Sequence, residues 1–148
     1  MKKRILFVCS MNISRSAMAE AIVNEVYGDD YIASSAGISA FVGSPMCYDA
    51  RMALVRAGYD EKKLCRHTAR QISKSMISGS DKVICVSDGT ADALRRAFPD
   101  LCDRITSFDE NIRVPADGDA DGYDECFLSL CAQIEKILYP GGSKWSSK

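Results

Sequence analysis

The stretch RILFVCSMNISRSAMAE, residues 4–20, passes from an apolar run to a helical pattern within a few residues. Ile5, Leu6, Phe7 and Val8 are continuously apolar, as in a strand buried on both faces. Ala17, Met18, Ala19, Ala21, Ile22 and Val23 then suit a helix, with Ser14 or Ser16 placed to cap it. Cys9 closes the strand and Arg15 stands at the helix start, with five residues between them. The loop thus ends on a helix N-terminus, whose unpaired N–H groups and dipole attract an anion.

A cysteine facing such amides, with a guanidinium close by, has its thiolate stabilised by both. The planar fork of Arg15 can hold two oxygens of a phosphoryl group, which a lysine cannot do. Nucleophile and anion site then coincide, which points to attack on phosphorus through a cysteinyl-phosphate intermediate. Ser16 can donate a hydrogen bond to the sulfur when it leaves that intermediate. A bare C-x5-R pair also fits a strand-end cysteine beside a surface arginine. Asn12, Ser16 and the strand–loop–helix setting favour the catalytic reading.

Length and composition narrow the rest. The chain has 148 residues, 47% hydrophobic and 26% charged, which fits one globular domain able to bury roughly two thirds of its unfolded surface. A formal net charge of −1 gives no general attraction to nucleic acid or an anionic membrane. The basic start and short apolar run of MKKRILFVCS fall short of a signal peptide, and nothing approaches the roughly 18 apolar residues of a membrane span. Seven cysteines without a C-x-x-C pair fit reduced thiols in a cytoplasm better than a disulfide framework or zinc site. With a single histidine, no metal is assigned, and no cofactor is called for. Strands are expected over 31–36, 81–86 and 104–107, and helices over 16–26, 44–57, 90–98 and 123–138. This alternation gives an α/β doubly wound fold with a small parallel sheet. The domain is expected over residues 1–140, followed by a flexible tail over 141–148.

Cys9, Asn12, Arg15 and Ser16 resemble the phosphate loop of the low-molecular-weight protein tyrosine phosphatases, roughly C-x-G-N-x-C-R-S-P. Met11, Ser14 and Ala17 depart from it, replacing the glycine, the second cysteine and the proline. A positive φ at Met11 would cost about 1–2 kcal/mol. Ser14 removes the thiol that in the family can trap an oxidised nucleophile, leaving Cys9 more open to irreversible oxidation. The resemblance implies a four-stranded parallel sheet in order 2-1-3-4 with helices on both faces, and Cys9 at its carboxyl edge. It also implies a phosphate-binding loop of Ser10, Met11, Asn12, Ile13, Ser14, Arg15 and Ser16. Asn12 and Ser16 then support the loop together with Ser35, in an S-A-G turn, and His67, tying loop to turn. Ile13 and Phe41 become walls of the substrate cleft. Asp49 and Arg51 also match the family pattern, although an exposed helical charge pair accounts for them equally.

The general acid is harder to place. In the family it is the aspartate of a D-P dipeptide, and residues 112–123, IRVPADGDADGY, contain no D-P. Matching Tyr123 to the family's helix tyrosine without gaps puts Pro115 on the proline and Val114 on the acid. A shift of one or two residues makes Asp117 the acid, with Asp119 in reserve, while a solvated acidic loop is the plainer explanation of both.

The activity implied is that of a cytoplasmic hydrolase: a protein phosphatase acting on phosphotyrosine, with Cys9, Arg15 and Asp117 catalytic. Its partners would be a phosphotyrosine-containing protein and inorganic phosphate, without nucleic acid or membrane, and its state a monomer or weak dimer. Ile13 stands where the related protein-arginine phosphatases carry threonine, which points to phosphotyrosine. Two alternatives remain open. One is an arsenate reductase-like oxidoreductase, for which Cys85 stands near the right place but Asp92 occupies the position of the next relay thiol. The other is a catalytically weak phosphotyrosine- or oxyanion-binding module.

Overall fold

The computed structural model describes residues 1–139. The tail expected at 141–148, and Pro140 as a helix stop, lie outside the described residues. In chain order the elements are β1 (Lys3–Cys9), α1 (Arg15–Val26), β2 (Tyr31–Gly37), α2 (Tyr48–Arg56), α3 (Glu61–Leu64), α4 (Lys74–Ser78), β3 (Lys82–Cys85), α5 (Asp88–Ala97), a 3-10 turn (Pro99–Arg104), β4 (Ile105–Ser107) and α6 (Ala120–Leu138). The four strands are parallel in the order β2-β1-β3-β4. That is the doubly wound arrangement expected.

The apolar run of β1 explains its central place. Ile5, Phe7 and Cys9 point to the face covered by α1, α2 and α6, whereas Leu6 and Val8 point to the face covered by α4 and α5. All five are at most 2% exposed. A strand with both faces dry has no polar side to show, hence the unbroken run. Each such Ile, Leu or Phe side chain contributes about 1.5–3 kcal/mol through burial. Cys9 pairs with Gly37 at the carboxyl end of the sheet, so the loop after β1 and the turn after β2 emerge side by side.

Two local expectations change, and two short helices are added. The helix expected from residue 44 begins at Tyr48, because residues 44–47 are held elsewhere: Ser44 O accepts from Ala69 N at 2.8 Å, and Cys47 N donates to Ile13 O at 2.8 Å. Helix α6 starts three residues earlier than expected, at Ala120, capped by the Asp119 carboxylate on Gly122 N. The short helices α3 and α4 span four and five residues, too few to show a period in the sequence.

Candidate active site

The six residues from Cys9 to Ser14 turn every carbonyl outward. Their oxygens accept, in order, from Ile38 N (3.0 Å), Ser39 N (2.8 Å), Phe41 N (3.2 Å), His67 Nε2 (2.7 Å), Cys47 N (2.8 Å) and Met18 N (2.8 Å). A peptide whose oxygen is held outward presents its N–H inward, toward the space above the Cys9 sulfur. Asn12 N reaches Cys9 Sγ at 3.3 Å, and Ser16 Oγ lies 2.8 Å from the same sulfur. Ser14 takes the N-cap position of α1, but neither it nor Ser16 caps the helix through its side chain. Ser16 is turned to the sulfur instead. The first-turn amides of α1 are thus left for an anion.

Asn12 is the hub that imposes this shape. It is fully buried and holds a positive φ of 62°, a conformation asparagine tolerates better than most residues. The strain expected at Met11 is therefore absent, because the left-handed position falls one residue later. Asn12 Nδ2 donates to Ser16 Oγ (2.8 Å) and Ser35 Oγ (2.9 Å), and its Oδ1 accepts from Arg70 N (2.9 Å). The Ser35 hydroxyl in turn donates to Glu20 Oε1 at 2.6 Å. His67 touches the loop at the Asn12 carbonyl, whereas the link to Ser35 expected of it is made by the Asn12 side chain. Gly37 is needed where it stands: a Cβ there would come within 2.6 Å of Ser10 O. Glu20 and Arg70 belong to this support, and sequence reasoning missed both. Glu20 lies one helical turn after Ser16, a spacing that could have drawn attention to it. Nothing in the sequence marks Arg70.

Arg15 is tethered on the opposite side. Its Nη1 donates to Ile112 O at 2.9 Å, and Ile112 N is pinned to Val86 O at 2.9 Å. Its Nε is buried and meets no acceptor among the described residues, a donor suited to an oxyanion. Beyond Ile112 the chain loosens, and residues 113–115 make no hydrogen bond among the described residues. Val114, which the ungapped match puts on the acid, is exposed. Asp117 is exposed and lies near Tyr123 and Asp49, whose carboxylate accepts from Gly118 N at 2.9 Å. Burial first, then Cys47, Asp49 and Asp117, push the Tyr123 phenol far above its ordinary value. The Tyr123 hydroxyl lies 3.9 Å from Cys47 Sγ, and the Cys47 amide holds Ile13 O, which places this acidic group on the Ile13 side of the loop. Asp119, the reserve acid, is engaged as the cap of α6.

Ile13 is half-buried, and Phe41 is exposed with its amide on Met11 O. Met11, Val42 and Tyr48 add exposed apolar surface on the segments bonded to the loop. The sequence reading named neither Val42 nor Tyr48. Cys85 projects to the face of the sheet opposite Cys9, and burial pushes its thiol up to about 12, with Arg95 opposing. A thiol so placed is no redox relay to Cys9. Among the described residues, no three His, Cys, Asp or Glu side chains cluster as metal ligands.

The chain matches the family model described as low molecular weight phosphotyrosine protein phosphatase over residues 4–140. It is 29% identical to the protein-arginine-phosphatase of Geobacillus stearothermophilus over 93% of this chain and 95% of that protein. It is 31% identical to the low molecular weight protein-tyrosine-phosphatase of Streptomyces coelicolor over 93% of each. Among solved structures, the low molecular weight protein tyrosine phosphatase from T. tengcongensis superposes with a TM-score of 0.85 at 26% identity, covering 94% of this chain and 99% of that one.

Proposed function

This chain belongs to the low molecular weight phosphotyrosine protein phosphatase family, and on that premise we propose that it hydrolyses phosphotyrosine on proteins through a phosphorylated Cys9. The observation that carries this reading is the Cys9 loop itself, with six carbonyls held outward, amides inward and Ser16 Oγ 2.8 Å from the sulfur. In the first step the Cys9 sulfur attacks phosphorus, the S–P bond forms and the P–O bond to the phenol breaks. The amides of residues 10–15 and the Arg15 guanidinium take up the charge on the equatorial oxygens. Asp117 donates the proton that the leaving phenolate needs. In the second step it accepts a proton from the water that attacks phosphorus, and the sulfur leaves as a thiolate stabilised by the Ser16 hydroxyl. Ile13 and Phe41 wall the cleft, and a phosphate held at its bottom suits a long aryl ester.

The protein is a single phosphatase domain over residues 1–140, acting in the cytoplasm as a monomer or weak dimer on phosphoproteins, with neither nucleic acid nor membrane as partner. Its net charge of −1 supports the last point.

The test is hydrolysis of matched phosphotyrosine and phosphoarginine peptides by the parent and Cys9→Ser, with arsenate reduction assayed on the same samples. The reading requires phosphotyrosine turnover that falls to the uncatalysed level in Cys9→Ser. Preference for phosphoarginine would move the substrate assignment to that of the Geobacillus relative. Phosphate binding without turnover would leave only an oxyanion-binding module.

A further inference from the structure

On the side of α1 away from the catalytic mouth, a cleft opens between that helix and residues 59–67. Its floor is apolar, made by Ala17, Ala21, Met46 and Leu64. Two side chains in its wall, Glu20 and His67, are the outer ends of the hydrogen-bond system that shapes the phosphate loop. From Glu20 the chain runs to Ser35 (2.6 Å), Asn12 (2.9 Å), Ser16 (2.8 Å) and the Cys9 sulfur (2.8 Å). From His67 a single bond of 2.7 Å reaches the Asn12 carbonyl. Both routes meet at the one non-glycine residue with positive φ among the described residues.

We propose that this cleft is an effector site for a ligand carrying a planar amidinium or guanidinium head on an apolar body, and that its occupancy is transmitted to the phosphate loop through Asn12. The head group follows from the polar atoms offered. Glu20 accepts from Ser35 with one carboxylate oxygen, and the other has no hydrogen bond among the described residues. The bond to a carbonyl requires His67 Nε2 to carry a proton, and in that Nε2–H tautomer Nδ1 is the ring's acceptor. The wall thus offers two acceptors, which a planar pair of N–H donors satisfies and a carboxylate repels. The charge balance agrees, because Glu20, Glu25 and Asp60 line the cleft against Lys63 and Arg66. Lys63 is moreover turned to Glu25 at 3.9 Å. The apolar floor and the edge of Tyr59 take the body of the ligand.

His67 is the only histidine in the chain, so its ring signals in an NMR spectrum report on the cleft without ambiguity. The full-length protein is titrated with benzamidine as the probe and with benzoate as the control, and inorganic phosphate affinity is measured with and without benzamidine. Ala21→Phe, which fills the floor, and Lys63→Trp, at the exposed rim, serve as two independent blocks; neither residue belongs to the loop or its supports. The expected result is a saturable His67 shift with benzamidine, lost in both variants and absent with benzoate. Phosphate affinity then changes by about fivefold or more, with the reciprocal change in benzamidine affinity that linkage demands. The proposal is overturned if the His67 signal does not move, if it moves equally in both variants, or if benzoate moves it as strongly. Binding that leaves phosphate affinity unchanged overturns the coupling. None of these readouts needs turnover, so failure of the phosphotyrosine reading and failure of the effector site are separate results.

Discussion

Residues 9–15 and residues 113–118, which follow the Arg15 partner Ile112, are built in opposite ways. The first segment has a bonded carbonyl at each position from Cys9 to Ser14, a fully buried asparagine at its centre, and a glycine cut to fit behind it. The second has three consecutive residues without a hydrogen bond among the described residues, an exposed Val114 where the ungapped match puts the acid, and Asp117 open to solvent. Oxyanion binding needs donors already in place, because amides that had to reorient would surrender much of their electrostatic advantage. Proton delivery tolerates a looser arm, since the acid has only to reach the leaving oxygen at the right moment. With Asp117 as the proposed acid, the difference separates what this enzyme binds from how fast it turns over.

Asp117→Asn tests the loose half most severely. Turnover of an aryl phosphate is expected to fall by about 10²–10⁴, with the affinity for inorganic phosphate nearly unchanged. A drop in phosphate affinity of the same size would abolish the distinction between the two loops. Val114→Asp in the Asp117→Asn background sharpens it further: a carboxylate where the ungapped match puts the acid should recover about tenfold or more of that loss. No recovery would mean that residues 113–115 do not carry position 114 to the leaving oxygen.

Asn12→Ala strikes the ordered half. It removes three side-chain bonds and leaves Ser16, Ser35 and the Arg70 amide without their partner, so stability should fall by about 1–3 kcal/mol. Displacement of the loop should lower kcat/KM about 10²-fold, with phosphate binding lost in parallel. Denaturant unfolding and steady-state kinetics on one preparation measure both. Ser35→Ala, one bond further out, should cost less, about 0.5–1.5 kcal/mol, with a smaller kinetic effect.

The weakest effect is absent at neutral pH. Burial raises Cys85 to about 12 and holds Cys126 and Cys131 at about 11, against an ordinary thiol value near 9.0. The folded chain keeps these protons where the unfolded chain has lost them. The associated stability is thus complete below about pH 9 and is lost as pH rises toward 11–12. A flat denaturation midpoint up to about pH 9, then a decline that is shallower in Cys85→Ala, is the expected profile. All three thiols lie on β3 or α6, the scaffold behind the ordered loop, so phosphate binding should disappear along the same curve.

Much of the ordered half can be read without coordinates. The run from Ile5 to Val8 identifies a doubly buried strand, and Cys9, Asn12, Arg15 and Ser16 follow at spacings that a strand–loop–helix turn brings together. Ser35 is legible as part of an S-A-G turn. The loose half resists, because a stretch rich in Gly and Asp carries no period to fix its register. The ungapped match and one shifted by one or two residues are therefore both open on paper, and the engagement of Asp119 as the cap of α6 is recognisable only once that helix is seen to begin at Ala120.

By itself, then, the sequence determined the alternation of strands and helices, the doubly buried first strand and the nucleophilic loop, since each depends on neighbours in the chain and on a hydrophobic pattern, while the strand order followed from the family resemblance. The tertiary structure decided which residues hold that loop in shape. Arg70 and His67 are more than fifty positions from Asn12, and Ile112 is ninety-seven from Arg15. Their roles are hydrogen bonds across the fold, and no periodicity or propensity records a partner that distant.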